Sequence, residues 1–263
     1  MKTTRYETRC FSDCGKIRLQ NEDSYLLRQQ ESGQGLILLA AVADGMGGLE
    51  KGKQASQMLI QALEEWWKHE LPELLAAMAD INAVKTSLEM YISCANQRIL
   101  QQNEKMGTTL SLLLIWGQRY LVQHAGDSRV YFLRKIGLER VTNDQTWYEQ
   151  ARQYGTLPQC QHSMEKMKSV LVNAIGVKFD YHLETAQGEL DNVEMILLCS
   201  DGVYKYLSDT RLETILKSRK TVIRKSQQIE TLLQTSEAKD NYTAVLIQTK
   251  KSRCRLARLR NIF

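Results

Sequence analysis

The apolar positions of this chain alternate between two periods. Residues 4–13, 22–30 and 35–44 ("TRYETRCFSD", "EDSYLLRQQ", "GLILLAAVAD") read as strands, the third so continuously apolar that both its faces must be buried. Two helical stripes follow. Between 53 and 71 the apolar positions are 55, 58, 59, 62, 63 and 66; between 81 and 100 they are 81, 84, 88, 91, 92, 95 and 99. Each stripe is one-sided, so each helix should lay one face on a core, with Trp66 and Trp67 as core and rim packing. Strand signals return at 107–117, 119–128 and 129–137, close-set with glycine punctuation, which predicts a meander. Residues 143–172 are less regular, with a helical patch at 146–155. Strands at 181–190 and 193–201, helical segments from about 209 to 236 and a strand at 241–250 complete the pattern. Strands grouped apart from helices predict an α+β fold on antiparallel sheet in a single domain.

Composition narrows the class without naming it. The chain has 263 residues, 43% hydrophobic and 25% charged, enough to bury a large core. No apolar run reaches the ~20 residues of a membrane span, and "MKTTRYETRCFSD" lacks the apolar segment of a secretory signal. Six cysteines show no paired C-x-x-C spacing, and Cys199 in "MILLCSD" is expected as a buried thiol; a cytoplasmic location fits them best. The net charge of +5 is local: the tail 250–263 carries six cations and no acid, so the rest of the chain is slightly acidic. The expected division is therefore a domain over 1–249 and a basic tail, read first as a solvated terminus and second as a contact for an acidic partner or a membrane surface. Nothing points to nucleic acid as the partner of the fold.

Five acidic positions share one local form, a carboxylate at a strand end or in a tight turn: Glu22 with Asp23 in "QNEDSY", Asp44 in "VADGMGG", Asp127 in "HAGDSRVY", Asp201 in "LCSDGV" and Asp240 in "AKDNYTAV". Acids at strand ends can converge on one sheet edge, where they repel one another unless cations neutralise them. Oxygen ligands alone suit hard ions, Mg2+ or Mn2+. Singly, each match is also an ordinary Asp-Gly turn. The glycine loop admits a rival reading, because Gly47, Gly52 and Lys53 satisfy the phosphate-loop spacing G-x-x-x-x-G-K. Gln54, however, stands where that loop needs Ser or Thr, and Asp44 and Glu50 place negative charge where phosphates would lie.

In their order and flanks, "RLQNEDS", "VADGMGG" with "GKQAS", "GTTL", "AGDSRVY", "AIG", "LLCSDGV" and "DNYTAV" together resemble the metal-dependent serine/threonine protein phosphatases of type 2C, in their bacterial form. The phosphate-loop reading would leave the other motifs without a role. The resemblance runs through nearly the whole chain and implies a four-layer α-β-β-α sandwich of two antiparallel sheets flanked by helices. It also implies hydrolysis of phosphoserine and phosphothreonine in proteins, opposing a serine/threonine kinase, by a hydroxide bridging two Mn2+ or Mg2+ ions. In that scheme Asp44 bridges both ions, with the Gly45 carbonyl and Glu22 on one. Asp201 and Asp240 hold the other, and Asp127 with Asp201 forms a third, weaker metal site. Arg18 holds the substrate phosphate, Asp23 supports the site by hydrogen bonding, Asn241 and Thr243 brace the Asp240 turn, and Thr108 and Thr109 are strand packing.

The chain departs from the family pattern in two places. Met46 follows Asp-Gly where one branch has His, so this side chain cannot protonate the leaving alkoxide, and water held by the metals is the expected donor. None of the four histidines is an obvious replacement: His124 reads as a satisfied core residue, and His69, His162 and His182 as exposed or packing. Gln145 and Thr146 stand where the family commonly has the His-Ser of an Asp-His-Ser opening a mobile flap, which leaves substrate selection open. The alternative function is a phosphatase-like binding or regulatory module of weak activity; the complete acid set favours the enzyme.

Overall fold

The apolar run at 35–44 divides its side chains between two cores. Ile37, Leu39, Ala41 and Ala43 face helices, whereas Leu38, Ala40 and Val42 face a second sheet, so the period of two is satisfied with no polar face at all. The same division recurs at 193–199, where Met195, Leu197 and Cys199 point one way and Ile196 and Leu198 the other. Strands buried on both sides require four layers.

The protein's structure is a computed structural model that describes residues 5–33, 35–47, 50–102, 104–158 and 160–250. In chain order the strands are β1 (Arg5–Asp13), β2 (Ser24–Ser32), β3 (Gly35–Ala43), β4 (Gly45–Met46), β5 (Gly107–Thr108), β6 (Leu110–Trp116), β7 (Arg119–Ala125), β8 (Arg129–Arg134), β9 (Gly137–Arg140), β10 (Glu184–Glu189), β11 (Val193–Cys199) and β12 (Tyr242–Lys250). The helices are α1 (Lys51–Glu65), α2 (Leu71–Ala76), α3 (Ile81–Leu100), α4 (Trp147–Gln153), α5 (Gln161–Lys168), α6 (Asp201–Tyr204), α7 (Asp209–Lys217) and α8 (Val222–Thr235). One sheet runs β1-β12-β11-β8-β9, the other β10-β7-β6-β3-β2, with antiparallel neighbours throughout. Helices α1 and α3 cover the second sheet; α7 and α8 cover the first. The fold is the expected α-β-β-α sandwich of class α+β.

The helical stripes bury as their spacing predicts. Every position of the α3 stripe is buried except Tyr91, which is half-buried, and Asp80 caps the helix by accepting from the backbone N–H of Asn82 and Ala83. The stripe at 53–71 is not one helix, however. After α1 a π-helical turn, Trp66–Glu70, widens the path before α2. Trp66 is wholly buried there, its Nε1 donating to Ser87 Oγ at 3.0 Å, while Trp67 is half-buried at the rim.

The predicted meander at 107–137 is broken. β6 and β7 form a hairpin in one sheet, but β8 belongs to the other, between β11 and β9. The crossing occurs at Gly126–Ser128, where Gly126 adopts a φ of 109° and a β-carbon would collide with the Thr109 side chain. Local alternation cannot show which of two parallel-lying sheets a strand joins. The strand Gly137–Arg140 and the short helices α5 and α6 also lie outside the sequence-based expectations. The expected domain boundary at 249 falls one residue inside β12, and the tail from 251, with Cys254, lies outside the described residues. Among the described residues no helix is long and apolar enough to cross a membrane.

Stability should concentrate between the sheets. Leu198→Ala, at a fully buried position, is expected to cost about 2–5 kcal/mol, whereas Ile136→Ala, 91% exposed, should stay within about 0.5 kcal/mol of the parent. Urea unfolding of the two variants checks this, and equal midpoints would refute the layer assignment.

Candidate active site

The strand ends bring the acids together. Asp44 follows β3, Asp201 follows β11, Asp240 precedes β12, Glu22 and Asp23 precede β2, and Asp127 lies in the crossing between β7 and β8. All open onto one end of the sandwich, where Arg18, Glu22, Asp44, Asp127, Asp201 and Asp240 share a pocket of ≈ 520 Å³ with the Gly45 backbone. Asp23 lies behind it, buried, accepting a 2.6 Å hydrogen bond from Ser200 Oγ. Every acid singled out in the sequence is therefore in or directly against this pocket.

The backbone around Asp44 is held tightly. Its N–H donates to Thr109 Oγ1 at 2.9 Å, and its carbonyl accepts from Thr109 N at 2.8 Å and Thr108 Oγ1 at 3.0 Å. These two threonines do more than pack: they fix the strand end that carries the central carboxylate. Ser56 Oγ likewise donates to the Glu22 carbonyl at 2.6 Å. Asn241 ties three segments together, accepting from Glu22 N at 2.9 Å through Oδ1 and donating through Nδ2 to the carbonyls of Cys14 and Gln20 at 3.0 Å each. It braces the Asp240 turn and also the loop that presents Arg18.

The glycine loop is shaped for close approach. A β-carbon on Gly45 would collide with the Gly52 carbonyl, and one on Gly52 would meet Glu22 Oε1. Gly52 lies in the first turn of α1, so the loop's second glycine admits a carboxylate to the helix start rather than cradling phosphates. Gly47 takes a φ of 141°; Gly48 lies outside the described residues. Lys53 is half-buried.

Burial and mutual repulsion dominate the electrostatics. Burial, with Asp23, Asp201, Asp127 and Asp240 adding to it, raises Asp44 well above the ordinary aspartate range. Burial pushes Asp23 up to about 7 and Asp127 up to about 7; Glu22 is raised for the same reason. Glu22 Oε1, Asp23 Oδ1 and Asp201 Oδ1 are buried with no hydrogen-bond partner. Oxygens of this kind call for cations. Among the described residues no three acidic, His or Cys side chains meet as a finished cage. Magnesium-type ions keep several waters and take few direct protein ligands, so an open ring of carboxylates beside a backbone carbonyl fits them. Arg18, half-exposed, forks onto Asp240 with Nε–Oδ1 at 2.9 Å and Nη2–Oδ2 at 3.2 Å.

The irregular segment is pinned beside the acids. Gln145 N donates to the Gly126 carbonyl at 2.7 Å, and Gln145 Oε1 accepts from Gly126 N at 2.9 Å and Asn173 Nδ2 at 2.5 Å. Trp147 N and Val172 N close the other side on Val170 O and Gln145 O. Gln145 thus clamps both ends of the segment against the crossing that carries Asp127, and Thr146 caps α4. Met46 lines the pocket. His124 is buried and satisfied by Ser111, Leu110 and Asn143, and the other three histidines are exposed. Lys205, which the sequence reading did not single out, lines the pocket and pairs with Asp201.

A pocket ringed by unpaired buried carboxylate oxygens at the end of this sandwich suits hard cations, and comparison with known proteins gives the family. Residues 16–246 match the family model described as Protein phosphatase 2C. The chain belongs to that family. It is 30% identical over 251 residues to the serine/threonine phosphatase stp of Listeria monocytogenes, an alignment covering 92% of this chain and 96% of that one. The crystal structure of the Mycobacterium tuberculosis serine/threonine phosphatase PstP/Ppp superposes with a TM-score of 0.73 at 29% identity, over 93% of this chain and 98% of that one. Stp1 from Staphylococcus aureus shares the fold with a TM-score of 0.81 at 23% identity, over 95% and 97% of the two chains.

The raised acids predict a pH signature. Asp23 has a folded-state pKa above its unfolded value of 3.8, so its contribution is full below the ordinary aspartate range and is lost as pH rises through about 7. In chelator-treated protein, the stability of the parent relative to Asp23→Asn should fall between pH 4 and 7 and level off above. Urea titrations across that range measure it, and a flat or rising difference would count against the buried-acid cluster.

Proposed function

We propose that this chain hydrolyses phosphoserine and phosphothreonine in proteins and opposes a serine/threonine kinase. The observation that carries the reading is Asp44, a half-buried carboxylate ringed by other acids and held at a fixed strand end, with a guanidinium fork in the same pocket. The named activity of the Listeria relative, matched over nearly its whole length, supports the same substrate class.

In this reading Asp44, the Gly45 carbonyl and Glu22 would hold one Mn2+ or Mg2+, and Asp44, Asp201 and Asp240 a second. Bound there, such ions neutralise the acids, polarise a phosphoryl group and acidify water so that it can attack at neutral pH. The chain's own residues do the rest. Arg18 moves its fork from Asp240 to the phosphate dianion, whose oxygens match the same donor geometry. Thr108, Thr109 and Asn241 hold the ligand-bearing backbone within the tolerance that in-line attack demands. Met46 offers no proton, so the departing alkoxide is protonated from the solvent side. The pinned segment at 143–172 brings Ser169, Val170 and Leu171 to the pocket wall, where the polypeptide around the phosphorylated residue would pass.

Purified protein should release phosphate from phosphothreonine peptides with Mn2+ and stop on chelation. Asp44→Asn and Asp201→Asn should fall to background with circular dichroism unchanged, and Arg18→Ala should lose roughly 10²-fold in kcat/KM. A folded, manganese-loaded protein that binds phosphopeptide without turnover would replace the enzyme with a binding module.

A further inference from the structure

We propose that Lys205 supplies the cation on the Asp127–Asp201 side of the pocket, so that this phosphatase site takes two divalent ions and no third. The inference rests on the two-ion reading above and refines it. The observation is that two consecutive residues contact the two acids on that side. Tyr204 OH donates to the Asp127 carbonyl at 3.0 Å and approaches Asp127 Oδ2 at 3.4 Å. The Lys205 ammonium binds Asp201 Oδ2. The sequence resemblance implied a third, weaker metal at this carboxylate pair; here an ammonium of the chain itself already pairs with one of the two carboxylates.

Local structure makes the pairing persistent. Asp201 opens α6 and Lys205 follows its last residue, with Lys205 N donating to the Asp201 carbonyl at 3.0 Å. That is a spacing of i to i+4 with the acid on the N-terminal side, the favourable orientation for a helical ion pair. The guanidinium of Arg129 lies 3.4 Å from the centroid of the Tyr204 ring and binds Asp144 by two hydrogen bonds of 2.8 and 2.6 Å. The residue next to Lys205 is therefore fixed in turn. The ammonium faces Asp201, Asp127 and Asp44; burial opposes its charge, and the three carboxylates outweigh that and raise it above the ordinary lysine range.

The division of Asp201 is the decisive detail. One oxygen, Oδ2, is taken by Lys205, while the other, Oδ1, is buried without a partner. Asp201 thus keeps one oxygen for an ion shared with Asp44 and Asp240 and spends the other on a charge the chain carries itself. A tethered ammonium needs no recruitment from solution, and a third divalent ion would have to shed its own water and deprive the ammonium of its partner.

Bound Mn2+ counted per chain by equilibrium dialysis, with electron paramagnetic resonance of the free ion, tests this. The parent should saturate at two, and Asp127→Asn in the parent should also hold two. Lys205→Met should rise to three, Lys205→Arg should stay at two, and the double variant Lys205→Met/Asp127→Asn should return to two. A parent that binds three ions and loses one in Asp127→Asn overturns the proposal, as does a folded Lys205→Met that gains none. A parent that binds none overturns the two-ion reading as well, which separates the two failures.

Discussion

Repulsion among buried carboxylates is the constraint around which this end of the molecule is organised. The acids arrive from several different strand ends, and two antiparallel sheets packed face to face are what make those ends coincide. An aspartate with several like charges around it in a low-dielectric site cannot stay ionised without compensation. The protein answers at three levels. Arg18 covers Asp240, Lys205 covers one oxygen of Asp201, and Glu22 Oε1, Asp23 Oδ1 and Asp201 Oδ1 stay without a hydrogen-bond partner, an arrangement that suits the cations proposed for this pocket. The hydrophobic layers are what hold those charges where they would not otherwise stay.

The site is therefore costly to the fold, and the supporting contacts are correspondingly dense. Hydroxyls recur at the strand ends: Thr109 and Ser128 share a 2.7 Å hydrogen bond, Ser12 and Thr243 another of 2.7 Å, and Ser200 bridges Asp23 to the Thr243 backbone. Small polar side chains can satisfy the backbone without adding charge, which explains their position one step behind the acids.

Much of this was legible in the sequence. Strands buried on both faces announced themselves as unbroken apolar runs, and α3 ended where its stripe ended. Asp44 and Asp201 were visible because a carboxylate after an apolar strand is a distinctive local pattern, and Asp240 because it stands just before one. What escaped was whatever depends on choice between equivalent partners. The alternation of β8 is the same whichever sheet it joins, and only the turn at Gly126 decides. Thr108 and Thr109 read as ordinary strand residues because their hydrogen bonds go to a backbone sixty residues away. Lys205 escaped because α6 is a single turn, too short to show a helical period, so the i to i+4 relation with Asp201 had no visible frame. Gln145 read as a departure from a family pattern, whereas its amide supplies a bond to Gly126 and another to Asn173.

The placement of β12 has a consequence for how the molecule is made. This strand, the last of the described residues, lies between β1 and β11 and pairs residues 5–13 with 242–250. That edge of the sheet therefore cannot close until residues 242–250 have left the ribosome, and contacts of such sequence separation form slowly. Asp240 enters the pocket in the same event. During synthesis the chain therefore carries its other acids before Asp240 can join them.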